Sequence, residues 1–141
     1  MKVTIGSDHA GFKAKEELKA FLKSLGHEVV DVGAAGEESV DYPDFAKKVA
    51  ESVAAGKAER GVLVCGTGIG MSIAANRVRG VRAAVVTDEF TSEMSRKHND
   101  ANVFCAGARV LATDRIKSLL ELWLKTAFEG GRHQRRVEKM G

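Results

Sequence analysis

Five short apolar runs rich in β-branched residues alternate with helical stripes that stop at glycine, and this alternation predicts an α/β fold. The expected architecture is a Rossmann-like three-layer αβα sandwich with a five-stranded parallel sheet. The runs are Val3–Ile5, Glu28–Val32, Gly61–Cys65, Val81–Val86 and Asn102–Ala106. They are too continuous for a half-exposed antiparallel sheet and suit strands covered on both faces.

Right-handed crossovers then place helices on both sides of the sheet. In the first helix Leu18, Phe21, Leu22 and Leu25 follow i, i+3, i+4, i+7, with Gly26 just past the end. Phe45, Ala46, Val49, Ala50 and Val53 form the second stripe, stopped by Gly56. Ile69–Val78, Glu89–His98 and Asp114–Phe128 supply the third, fourth and fifth helices, and no internal repeat is visible. In the fifth, Leu119, Leu120, Leu122, Trp123 and Leu124 hold five of six consecutive positions, more than one buried stripe needs. A second subunit would cover the surplus; a helix sunk between sheet and loops is the alternative.

At 141 residues, with 44% hydrophobic and 29% charged positions, the chain suits one domain over residues 1–141. No apolar run approaches the roughly 20 residues of a membrane span. Gly6 to His9 interrupt what would be a secretory signal. The expectation is therefore a cytoplasmic protein without membrane contact, with Cys65 and Cys105 as reduced thiols. The net charge of +3 lies in a basic C-terminal tail at 130–141, where Arg132, Arg135, Arg136 and Lys139 outnumber Glu138. A balanced body with one basic tail argues for a local anion site and against nucleic acid as a partner.

Ligands of open parallel sheets bind outside the carboxyl ends of the strands. The residues following the strands are Ser7-Asp8-His9-Ala10-Gly11, Cys65-Gly66-Thr67-Gly68-Ile69-Gly70, Thr87-Asp88 and Gly107-Ala108-Arg109, and the fourth helix ends at His98-Asn99-Asp100. All these groups are expected to converge on one edge. Gly66, Gly68 and Gly70 let the backbone turn sharply and gather N–H groups beside a helix start, which suits a phosphate or a developing oxyanion. The glycine spacing is not that of a P-loop and is a poor dinucleotide fingerprint. Asp88 stands near where a ribose-binding acid would fall, so a nucleotide ligand keeps a small weight.

Cys65 ends its strand at the glycine loop, where a helix start favours thiolate and makes a base or nucleophile. Cys105, inside its run, reads as a buried apolar residue. Taken singly, His98 and Asn99 are ordinary at a helix end, and His9 is ordinary at a helix start. Histidines 9, 27, 98 and 133 show no H-x-x-x-H spacing and the cysteines no C-x-x-C, so no metal is expected. Gly130-Gly131 releases the chain, and arginines at 132, 135 and 136 fit a phosphate clamp better than a solvated tail.

Five motifs now stand together: S-D-H-A-G-F at 7–12, V-D-Y-P-D-F at 40–45, C-G-T-G-I-G-M-S-I-A-A-N-R at 65–77, H-N-D-A-N at 98–102 and G-G-R-H-x-x-R at 130–136. In this order they resemble the type B ribose-5-phosphate isomerases, kin to galactose-6-phosphate and allose-6-phosphate isomerases. The resemblance implies an aldose–ketose isomerase acting on a phosphorylated sugar without metal or organic cofactor. It implies Cys65 as the base between C1 and C2, with the amides of Gly66, Gly68, Ile69 and Gly70 and the Thr67 side chain stabilising enediolate oxygens. His98 would help open the furanose ring, with Asp8 and Thr67 handling hydroxyl protons and Asn99 contacting the intermediate. His9, Arg109, Arg132 and Arg136 would hold the phosphate, and Tyr42 would lie near the sugar. It further implies a homodimer or dimer of dimers with active sites shared between subunits. A six-carbon sugar phosphate is the alternative substrate, and a non-catalytic sugar-phosphate or nucleotide sensor the alternative class. An NAD-dependent oxidoreductase is disfavoured because no second domain could hold its substrate.

Overall fold

The computed structural model describes residues 1–141. Five parallel strands, β1 (Lys2–Ser7), β2 (Glu28–Asp31), β3 (Arg60–Cys65), β4 (Ala83–Val85) and β5 (Val103–Gly107), form one sheet in the order β2-β1-β3-β5-β4. Alternate residues of the central strands face opposite cores. Val62 and Val64 join a cluster with Leu18 and Leu22 of α1 (Phe12–Ser24) and with Ile116, Leu119, Leu120 and Trp123 of α5 (Thr113–Lys125). Leu63, Cys65 and Cys105 join the other, beneath α2 (Tyr42–Ala54) and α3 (Ile69–Ala75). Burial on both faces explains why these strands read as unbroken apolar runs.

The helix α4 (Glu89–Lys97) lies beside α5, where Ser92 Oγ donates to the Leu119 carbonyl at 2.9 Å and Trp123 Nε1 donates to Ser95 Oγ at 3.1 Å. A sixth helix, α6 (Arg132–Met140), occupies the segment that the sequence offers only as a basic tail. It docks through His133 and Val137, buried one turn apart, and leaves its arginines outside.

Two helices each end three residues before the expected position. α3 stops at Ala75 because the Asn76 side chain leaves to bond Ala83, accepting from its N–H at 2.7 Å and donating to its carbonyl at 2.9 Å. That amide occupies the outer rim of β4, the shortest strand and a sheet edge, and blunts it against further pairing. α5 ends at Lys125, not Phe128: Thr126 is extended, and its carbonyl accepts from Arg96 Nε at 3.1 Å. The surplus apolar residues of α5 find cover largely inside the chain, with Leu119, Leu120 and Trp123 buried and Leu124 packed on the same core. The sunken-helix alternative therefore describes α5 better than an interface does.

Candidate active site

The residues read as one convergent site form two groups at opposite ends of the sheet. β3 ends at Cys65 on the carboxyl edge. α4 leaves that edge at Asp88 and, as a crossover helix running back along the sheet, delivers His98 and Asn99 to the amino edge. There Asn102 O accepts from Gly61 N–H at 2.9 Å, where β3 and β5 begin. His133 of α6 stacks on His98, which brings Arg132 and Arg136 to the amino edge as well. The expected convergence on one edge thus fails within one chain, because a helix between parallel strands reverses direction.

The carboxyl-edge group is built around the β3–α3 loop. The Cys65 thiol is buried and accepts from the Gly68 N–H at 3.1 Å. Gly68 adopts φ +82°, and a Cβ there would lie 2.9 Å from the Ala106 backbone, so the turn admits only glycine. Thr67 Oγ1 accepts from Ile69 N–H at 3.2 Å, which leaves its hydroxyl proton free to donate outward. The Tyr42 ring closes against Gly70, where a Cβ would sit 2.6 Å from the ring. Arg109 lies beside Gly66, its amide donating to the Gly66 carbonyl at 3.0 Å.

Asp8 and His9 follow β1 on the same edge. Asp8 is buried and accepts from Gly11 N–H at 3.1 Å. His9 Nδ1 accepts from the Val40 amide at 3.2 Å, so the neutral ring carries its proton on Nε2, a donor for an anion. Cys105, by contrast, is fully buried, and burial followed by the neighbouring Cys65 pushes its thiol far up from ionisation. Around this edge Ile69, Ile73, Phe90 and Val110 are each more than half exposed.

The amino-edge group contains His98, Asn99, Arg132 and Arg136, together with two residues the sequence reading does not assign, Glu129 and His133. Glu129 Oε1 stands 3.6 Å from His98 Nε2, and Arg136 Nη1 lies 3.4 Å from His133 Nδ1. Burial, then the neighbouring His98, Arg136 and Arg132, hold His133 below its usual range. The i, i+4 spacing of His133 and Val137 is the signal that could have revealed α6. His98, Glu129 and His133 offer donor atoms within 4.8 Å of one another, a grouping hidden from sequence spacing. The flanking Arg132 and Arg136 bring positive charge to the cluster, which suits it to an anion.

The two groups, one with a thiol, a glycine loop and a donor imidazole, the other with an imidazole and an arginine fork, offer side chains suited to proton transfer on an anionic ligand. Residues 3–140 match the model of the Ribose/Galactose Isomerase family. The chain belongs to this ribose/galactose isomerase family. It is similar to the putative sugar phosphate isomerase YwlF of Bacillus subtilis, 47% identical over 99% of this chain and 95% of that protein. It is similar also to ribose-5-phosphate isomerase B of Escherichia coli, 46% identical over 97% of this chain and 92% of that one. Among solved structures, ribose-5-phosphate isomerase B of Clostridium thermocellum superposes with a TM-score of 0.99 at 54% identity, covering 100% of this chain and 95% of that chain. The type B enzyme of Trypanosoma cruzi gives 0.96 at 50% identity, covering 99% and 95%. The family places this chain among the aldose–ketose isomerases, and the fold agrees with the expected parallel α/β sandwich. No helix is long and apolar enough to cross a membrane.

Proposed function

We propose that the protein interconverts ribose 5-phosphate and ribulose 5-phosphate through an enediolate, at sites assembled from two copies of the chain. The observation that carries this reading is the separation of Cys65 from His98. β3 spans six residues, roughly 16 Å end to end. An extended pentose phosphate, built of roughly 1.5 Å bonds, reaches only about half as far. One chain therefore cannot bring both groups to one sugar, whereas a carboxyl edge facing a partner's amino edge can. The exposed apolar rim of Ile69, Ile73, Phe90 and Val110 beside Cys65 supports such a docking, as a homodimer or as a dimer of dimers.

In this reading the phosphate is held by His9 and Arg109 of one chain and by Arg132 and Arg136 of the other. His98 shuttles a proton from the anomeric hydroxyl to the ring oxygen: the C1 carbonyl forms, the C1–O4 bond breaks, and the proton ends on O4. Cys65 as thiolate then takes the C2 proton, and the electron pair flows into the C1 carbonyl. The loop amides and the Thr67 hydroxyl stabilise the resulting enediolate, with Asp8 and Thr67 passing hydroxyl protons. Return of the proton from Cys65 to C1 yields the ketose. Asn99 contacts the intermediate, and Tyr42 closes over the sugar. Neither metal nor organic cofactor takes part. A thiol base also needs a reducing compartment, which fits the cytoplasm.

The test is a coupled assay in the presence of chelator, comparing kcat/KM for the 5-phosphate of ribose with the 6-phosphates of allose and galactose. Turnover highest on ribose 5-phosphate and unaffected by chelator supports the reading. Preference for a hexose phosphate would move the substrate to six carbons on the same residues. Binding without turnover would leave a sensor.

A further inference from the structure

His98 has two neighbours that the reaction as written does not use. Glu129 Oε1 stands 3.6 Å from its Nε2, and the His133 ring lies 4.2 Å away, centroid to centroid, at 14° between planes. The imidazole is met at one edge and on one face. The backbone fixes this arrangement: the Glu129 N–H donates to the carbonyl of Lys97, the residue before His98, at 3.1 Å. Arg96, buried, reinforces it by donating from Nε to the Thr126 carbonyl and from Nη1 to Asp100 Oδ1 and the Ala101 carbonyl. One guanidinium thus ties the turn after His98 to the connector that carries Glu129. Arg136 Nη1 in turn lies 3.4 Å from His133 Nδ1.

We propose that Glu129 is a positioning residue for ring opening: its carboxylate aims His98 at the substrate and faces the imidazolium formed while the proton passes from O1 to O4. The inference rests on the ring-opening role proposed for His98. A shuttling imidazole becomes cationic in mid-step, and a carboxylate at its edge both orients the ring and stabilises that cation. His133, stacked against the ring and kept among arginines, limits the positions His98 can take. It supplies no negative charge, so the carboxylate role falls to Glu129 alone.

The proton transfer between C1 and C2 offers a readout that ring opening does not touch. Ribulose 5-phosphate carries its phosphate on the C5 oxygen, cannot close a furanose, and enters the site already open. Glu129→Gln should lower turnover of ribose 5-phosphate by about tenfold with little change in KM, a loss confined to one proton-transfer group. Exchange of the ribulose 5-phosphate C1 proton with solvent deuterium should stay within about twofold of wild type. Glu129→Asp, which keeps the charge one methylene short, should recover part of the turnover. Equal losses in both assays would assign Glu129 to the fold or the enediolate and overturn the proposal, as would unchanged turnover. Absence of C1 exchange in the wild-type protein would instead overturn the isomerase reading itself.

Discussion

Cys65 and His98 stand at opposite edges of the same sheet, Cys65 closing β3 at the carboxyl edge and His98 following α4 at the amino edge. The phosphate-binding candidates divide in the same way, His9 and Arg109 with the thiol, Arg132 and Arg136 with the imidazole. The two groups of candidate residues lie apart within one chain, so each can be probed separately.

Cys65→Ala should abolish C1 proton exchange, a loss of about 10²–10⁴ or more in rate for a removed general base. Inorganic phosphate should still bind, because in the proposed reaction the thiol meets the reacting carbons while His9 and the arginines hold the phosphate. Cys105→Ala supplies the contrast. Its thiol is fully buried in the strand core and pushed away from ionisation, so the variant should lose stability while keeping turnover. Isothermal titration with phosphate and deuterium exchange read the two outcomes.

Arg132→Ala and Arg136→Ala should chiefly raise KM, since a phosphate grip acts equally in ground and transition states. Added salt should weaken wild-type binding in the same direction. Truncation at residue 131 is a different experiment. It removes the buried His133 and Val137 along with the charges, so it should lower Tm as well as raise KM, whereas the point variants should leave Tm nearly unchanged.

Burial and the adjacent His98, Arg136 and Arg132 hold His133 below its ordinary value of 6.5. As pH falls through 6.5 the unfolded chain binds a proton at this ring while the folded chain resists it, so this ring's contribution to stability declines toward acid. The decline continues until the folded-state value is reached. His133→Asn should flatten that part of the pH–stability curve, measured by urea unfolding on either side of pH 6.5. An unchanged difference between the two curves would show that the ring titrates alike in both states.

Lys15 is 1% exposed, and its ammonium is held by Asp31 at 2.7 Å and lies 5.1 Å from the centre of the Phe12 ring. Asp31→Ala removes the nearer of its two carboxylates, leaving Glu16 at 3.9 Å, and should cost up to about 3 kcal/mol. Lys15→Met, which removes the charge and keeps the bulk, should be near neutral or stabilising. Burial opposes ionisation of Asp31, but Lys15 and Lys19 outweigh it and hold the carboxyl below 3.8. Its contribution is therefore present above that pH and is lost as pH falls through the lower folded value.

Most of the sheet was legible because strands covered on both faces, such as Val62–Cys65, carry no polar alternation to blur the signal. The carboxyl-edge residues were legible because strand ends and glycine turns are local features. α6 was not. Its only buried residues are His133 and Val137, and four cations conceal so thin a stripe. The separation of the candidate residues onto two sheet edges was also hidden, since it depends on the direction of α4 in space and not on any residue type. The excess of leucine in α5 pointed to an interface, but packing against α1, α4 and the sheet consumes it, and the exposed apolar surface lies instead at Ile69, Ile73, Phe90 and Val110.

The two-chain site has its own decisive test. A Cys65→Ala homodimer lacks the base in both sites, and a His98→Ala homodimer lacks the ring-opening group in both. Refolding the two variants together produces mixed dimers. If each site takes Cys65 from one chain and His98 from the other, a mixed dimer has one site with both wild-type groups and one with neither. With random pairing about half of the dimers are mixed, so turnover of ribose 5-phosphate should recover to roughly a quarter of wild type. Ribulose 5-phosphate serves as the control: its C1 exchange needs Cys65 and not ring opening, so His98→Ala alone should retain it. If both groups of a site came from one chain, no mixed dimer would hold a complete pair and mixing would restore nothing. Mass spectrometry of the refolded sample establishes that mixed dimers formed. Their failure to turn over the aldose would overturn the shared site and leave the family assignment standing.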